Sequence, residues 1–156
     1  EFMNLTRGSG LMSHVFDGYA PLKGEVAERR NGVLISMENG VAVAYALWGL
    51  QERGRLFVSH NEKLYEGMII GIHSRDNDLV VNPIKSKKLT NVRASGKDDA
   101  ILLTPPIDLT LEYAVEFIAD DELVEVTPES IRIRERFLTE NERKRSSRAA
   151  EAAFAE

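Results

Sequence analysis

Gly67-Met-Ile-Ile-Gly-Ile-His73, the turn Asp76-Asn77-Asp78 and then Leu79-Val-Val81 form the stretch that decides the fold. A run of β-branched and apolar residues, a turn rich in Asp and Asn, and a second short apolar run predict two strands joined by a tight connection. Upstream, Gly32-Val-Leu-Ile-Ser-Met37 reads as another strand, followed by the turn Glu38-Asn39-Gly40. Ala42 to Arg53 is rich in alanine and leucine and stops at Gly54, which predicts a helix closed by a glycine C-cap. Arg55-Leu-Phe-Val58 reads as a strand, with Phe57 buried.

Downstream, Ala100-Ile-Leu-Leu-Thr104 reads as a returning strand that the Pro105-Pro106 pair keeps out of any central ladder. Thr110 is placed to cap a helix over Leu111 to Ala119, where Leu111, Val115 and Ile118, with Tyr113 and Phe117, have helical spacing. Leu123 to Val126 and Ser130 to Arg134 predict a hairpin around Thr127-Pro128. Thr139-Glu-Asn-Glu142 is a capping-box pattern opening an alanine-rich, weakly anchored helix. At the start, Glu1 to Thr6 suits the end of a helix and Leu11 to Tyr19 a half-buried strand. About six short strands with two or three helices, lacking regular alternation, predict an α+β fold: a small mixed, β-barrel-like domain.

Composition bounds the function. The 156 residues, 43% hydrophobic and 29% charged, suffice for one domain, or for a domain plus a fragment. The lack of cysteine excludes disulfides, thiolate metal sites and a cysteine nucleophile, and fits a reducing compartment, so we expect a cytoplasmic protein. No apolar run approaches the roughly 20 residues that span a bilayer, and Glu1-Phe2-Met3-Asn4 lacks signal-peptide character, so no membrane partner is expected. There is no GxxxxGK[ST] loop, no GxGxxG after a strand and no GxSxG elbow, so we expect no catalysis from this chain. His14, His60 and His73 are too scattered for a metal motif; His73 near Asp76 and Asp78 is read as strand and turn rather than as a site. No metal is expected.

Charge is sorted along the chain. Asp108 to Glu129 carries eight acids and no base, whereas Arg132 to Arg148 carries seven bases against three acids. The plainer reading is an acidic helix face paired with an arginine-bearing strand; the sharper one is a second RNA-facing patch. Tyr45 and Trp48, three apart, could form a base-stacking platform, but a single buried stripe is the plainer reading.

The sharpest anomaly is Lys85-Ser-Lys-Lys-Leu-Thr-Asn-Val-Arg-Ala-Ser-Gly-Lys97, with five bases and no acid in a chain of net charge -5. Lysines supply point charges, Arg93 a bidentate fork, and Thr90, Asn91 and Ser95 neutral hydrogen bonds, a set suited to phosphate. The candidate RNA-binding residues are therefore Lys85, Lys87, Lys88, Thr90, Asn91, Arg93, Ser95 and Lys97. An idle solvated connection is the alternative, but uninterrupted loops beyond roughly 12 to 15 residues tend to be functional. Ordering costs roughly 1 to 2 kcal/mol per residue in backbone entropy, which binding has to offset. A second class of function remains: a protein-interaction domain using the acidic helix 111–122.

Several long strings resemble the C-terminal part of the BipA/TypA family of ribosome-associated translational GTPases, within the elongation factor G-like superfamily. They are Gly32-Val-Leu-Ile-Ser36, Ala44-Tyr-Ala-Leu-Trp-Gly-Leu-Gln-Glu-Arg-Gly-Arg-Leu-Phe57, Tyr65 through Leu79, and Lys88-Leu-Thr-Asn-Val-Arg-Ala-Ser-Gly96. Asp120 to Pro128, Ile131 to Arg134 and Phe137 to Asn141 extend the likeness. The resemblance implies a remnant of a ferredoxin-like domain, its last helix and strand, at 1–21, a linker at 22–31, the family-specific domain at 32–138 and a helical tail at 139–156. Glu1-Phe2 is either a cloning scar before Met3 or native sequence inside a longer parent, and the resemblance favours the second. It implies a basic loop, here Lys85 to Lys97, that reaches RNA near the acceptor end of A-site tRNA on the 50S side, close to 23S rRNA, in ribosome assembly or stress-related translation. GTP and magnesium are then expected only in the parent's N-terminal domain. The alanine-rich end after Arg148 departs from the family pattern and carries no assigned role.

Overall fold

In the computed structural model, the apolar run Met68-Ile-Ile-Gly-Ile72 together with His73 forms β5 (Met68–His73), the strand around which the others assemble. Residues 2, 6, 9–21, 29–86 and 101–154 are described, with side chains as far as 149. In chain order the remaining elements are β1 (Val33–Ser36), β2 (Gly40–Val41), α1 (Ala44–Leu50), β3 (Gly54–Leu56), β4 (Lys63–Leu64), β6 (Leu79–Val81), α2 (Leu111–Phe117), β7 (Glu122–Val126), β8 (Ile131–Glu135) and α3 (Glu140–Phe154). The chain is α+β, with these three helices and two sheets among the described residues.

Along one edge β5 pairs antiparallel with β1 (Ile35 to Ile69, Val33 to Ile72). Its other edge is shared: β3 takes the C-terminal half (Arg55 to Ile72) and β8 the N-terminal half (Ile69 to Ile133). β6 lies parallel to β1, and β7 completes the hairpin with β8. The outermost strands β6 and β7 are not paired with one another, so among the described residues the sheet is open rather than a closed barrel. β2 and β4 make a separate two-residue ladder, too short to show any alternation in sequence.

Val33, Leu34, Ile69, Ile70 and Ile133 are sealed from solvent at the centre, with Leu47 of α1 and Ala114 of α2 packed over them. Full burial of each large aliphatic side chain contributes about 1.5 to 3 kcal/mol. Phe57 is buried as expected and meets Tyr113 and Phe117 edge-on, at 6.3 and 5.4 Å between ring centroids. Thr110 caps α2 by accepting from the Tyr113 amide at 3.2 Å. Thr139 and Glu142 close the predicted box at the start of α3, and these hydrogen bonds hold the Glu142 carboxyl below its ordinary pKa.

Four expectations are corrected. Gly54 is not a C-cap, because α1 ends at Gln51 and Gly54 opens β3; a Cβ there would stand 1.8 Å from the Ile72 carbonyl oxygen, so the glycine serves strand contact. Residues 101–104 form no strand. Their hydrogen bonds come instead from the Gln51 carboxamide, which donates to the Leu102 carbonyl at 3.1 Å and accepts from the Thr104 amide at 3.0 Å. On α2, Tyr113, Phe117 and Ile118 pack inward as expected and Ala114 joins them, but Leu111 and Val115 face solvent. Finally, residues 11–19 form no strand, and Leu11, Met12, Val15, Phe16 and Tyr19 lie exposed with no ladder partner among the described residues. A strand without a neighbour has nothing to hydrogen-bond or bury against.

Candidate nucleic-acid interface

The basic stretch leaves the fold beside one end of α1 and returns beside the other. At its start, Pro83 is buried and its carbonyl accepts from the Val43 amide, the residue preceding α1, at 3.0 Å. The Ile84 amide is held by the Asn82 side chain at 3.1 Å. Lys85 then stands exposed. At the far end, the Gln51 carboxamide bonded to Leu102 and Thr104 extends directly from the last turn of α1. Of the candidate RNA-binding residues, Lys85 is therefore placed at the root of the segment; Lys87, Lys88, Thr90, Asn91, Arg93, Ser95 and Lys97 lie outside the described residues.

Between the two roots α1 shows an outward face that contradicts the expected buried stripe. Leu47 and Leu50 point into the core, which turns Tyr45 and Trp48 outward with 40% and 45% of their surfaces exposed. Their rings lie 6.4 Å apart at 31°. The spacing of three residues was the signal; the inward leucines, which occupy the other side of the same turn, decided its direction.

A small cavity of about 200 Å³ near His73 is lined by Glu52, Arg53, Ser74, Arg75 and Asn77. The His73 ring is committed, its Nδ1 lying 2.5 Å from the Asn77 carbonyl oxygen, and no metal-binding group occurs among the described residues. The Asp78 carboxylate is likewise engaged, accepting from the Val33 amide at 2.8 Å. This is the turn chemistry that the strand-and-turn reading predicts.

The acidic and basic blocks meet only in part. Arg132 faces Glu125 across the β7/β8 hairpin, and Glu125 also accepts from the Tyr65 hydroxyl at 2.5 Å. Burial first, and then this bond to a carboxylate, push the Tyr65 pKa upward. Arg134 and Arg136, however, donate to the backbone carbonyls of Glu135 and Asp120. The buried ion pair is supplied from outside the block: Arg29 lies 2.6 Å from Glu122, 3.8 Å from Asp78, and over the Phe117 ring at 5.0 Å. Beside it, α3 covers an open cleft of about 850 Å³ lined by Asp78, Asp121, Glu135, Arg143, Lys144 and Arg148.

The family model for the TypA/BipA C-terminal domain matches residues 31–140. The chain belongs to that family. Among curated relatives, the large ribosomal subunit assembly factor BipA of Escherichia coli K12 is 62% identical over 150 residues, covering 96% of this chain and 25% of the relative. Its namesake in Haemophilus influenzae is 62% identical over 149 residues, covering 95% and 24%. That of Buchnera aphidicola is 57% identical over 145 residues, covering 92% and 24%. The chain thus spans about a quarter of the length of these BipA relatives. Among the described residues no helix is long and apolar enough to cross a membrane.

Proposed function

We propose that this chain is the ribosome-contacting module of a large-subunit assembly factor, acting in the cytoplasm by docking rather than by chemistry. Lys85, Lys87, Lys88, Arg93 and Lys97 contact RNA phosphates, while Thr90, Asn91 and Ser95 fix register. The RNA is 23S rRNA and the acceptor end of A-site tRNA on the 50S side. GTP and magnesium chemistry is assigned to the N-terminal part of the parent GTPase, whose action falls in ribosome assembly or stress-related translation. The observation that carries this reading is an acid-free, five-cation segment in a chain of net charge -5, both of its roots tied to α1. The naming of the BipA relatives as large ribosomal subunit assembly factors supports it. Domain limits at 1–21, 22–31, 32–138 and 139–156 belong to the same proposal. Charge reversal at Lys87 and Lys88 is expected to weaken binding to 50S subunits while leaving the melting temperature unchanged; unaltered affinity would overturn the reading.

One observation favours a second reading. Leu111 and Val115 project into solvent from α2 beside Glu112, an apolar and acidic surface suited to a basic protein partner. A pull-down that survives ribonuclease but is lost on reversing Glu112 and Glu116 would select it.

A further inference from the structure

We infer that the outward face of α1 is a stacking site for an unpaired nucleobase, with Trp48 and Tyr45 as the platform and Gly49 as the clearance beside it. The inference deepens the RNA reading and rests on it.

Three independent observations converge. Trp48 and Tyr45 form an adjacent, tilted aromatic pair exposed at the surface, where a π-face has a favourable partner in a base rather than in water. Gly49 occupies an exposed position in the same helix, and a Cβ there would meet nothing within 4 Å. Glycine weakens a helix relative to alanine, so a glycine that neither packs nor needs unusual dihedral angles has no explanation inside the described fold. Close approach of a ligand to the backbone supplies one.

The third observation fixes the chemistry of the occupant. The helix has no acidic residue in its first turn and no basic one in its last, and Glu52 beyond it lines the cavity beside His73. The helix itself, Ala44-Tyr-Ala-Leu-Trp-Gly-Leu50, carries no charged side chain, and the chain joined to it at Val43 through Pro83 and at Gln51 through Leu102 and Thr104 carries the acid-free basic segment. A polyanion held by those cations would have its bases available for the uncharged aromatic surface lying between the roots. Single-stranded RNA combines the two chemistries required: phosphates for the segment and π-faces for the helix.

Trp48 is the single tryptophan of the chain, so its fluorescence reports the site directly. The chain is titrated with a short oligoadenylate and, separately, with an abasic ribose-phosphate oligomer of equal length. Oligoadenylate is expected to bind more tightly than the abasic oligomer and to quench Trp48, while the abasic oligomer leaves the fluorescence unchanged. Trp48→Ala is expected to weaken oligoadenylate binding at least about five-fold with no effect on the abasic oligomer, and Trp48→Phe to restore most of the loss. Gly49→Ala is expected to raise the melting temperature yet weaken oligoadenylate binding, a pair of effects that a purely structural glycine cannot give. Equal affinity for the two polymers, or oligoadenylate binding without quenching, overturns the stacking site and leaves the phosphate reading intact. Failure of both polymers to bind overturns the phosphate reading and the stacking site together.

Discussion

Glu122 and Glu135 stand directly opposite one another across the β7/β8 hairpin, both buried, with 3% and 5% of their surfaces exposed. Like charges so placed cannot both ionise without cost. The fold separates their roles. Glu122 receives Arg29 at 2.6 Å and the Ala119 amide at 3.0 Å. Glu135 has its pKa pushed up to about 7, first by burial and then by the charges of Asp121, Glu122 and Asp78, against the pull of Arg143.

Stability should therefore depend on pH through Glu135. Its folded pKa lies above the unfolded value of about 4.5, so the native state holds the proton more tightly. The contribution is fully present below about pH 4.5 and is lost as pH rises toward and through about 7. Glu135→Gln is expected to flatten this fall and to be roughly 3 kcal/mol more stable than the parent above pH 8, with little difference near pH 4. Urea melts across that range decide it; parallel pH profiles for the two proteins would refute the assignment.

Removing Arg29 leaves Glu122 buried without its cation and uncovers the Phe117 ring. Arg29→Ala is expected to cost roughly 3 kcal/mol, the lower end for a broken buried pair because the Ala119 amide remains. Adding Glu122→Gln should recover a large part of that loss. A double mutant no more stable than the single one would show that the pair contributes little and that packing on Phe117 carries the effect.

The Gln51 carboxamide performs for residues 102–104 the task that a neighbouring strand would perform. Gln51→Ala is expected to destabilise the chain by about 1 to 2 kcal/mol and to speed hydrogen exchange at the Thr104 amide well beyond that at Ile69. Unchanged protection at Thr104 would mean that the prolines alone hold this segment.

Salt tests the basic segment as a whole. If its five cations each neutralise a phosphate of single-stranded RNA, log K falls against log salt with a slope of about -3.5. Each lysine-to-alanine change should then reduce the slope by about 0.7. A slope near zero would leave the segment as a solvated connection.

What sequence could reveal depended on whether a residue's neighbours in space were also its neighbours in the chain. The strands at 33–36, 68–73, 79–81, 122–126 and 131–135, the Thr110 cap and the Thr139 box are local patterns, and all appear within a residue or two of their expected limits. Gly54 was misleading because its reason is β5, nineteen or so positions onward, rather than the preceding helix. The segment 101–104 had strand composition but is served by one side chain fifty residues upstream. On α2, Leu111 and Val115 share the helical period with Tyr113 and Phe117, and only the position of Phe57 decides which pair turns inward. The same ambiguity hid Tyr45 and Trp48. Helical spacing names a face without saying what stands opposite it.

The two attachments at Val43 and Gln51 also bear on how such a domain changes over time. They lie roughly 12 Å apart along α1 and are fixed by bonds that do not involve the segment's own interior. Lengthening a segment with fixed ends costs only about 0.6 kcal/mol for each doubling. Insertions and deletions there can accumulate without shifting any strand register, so the reach of the segment and the stability of its support can be selected separately.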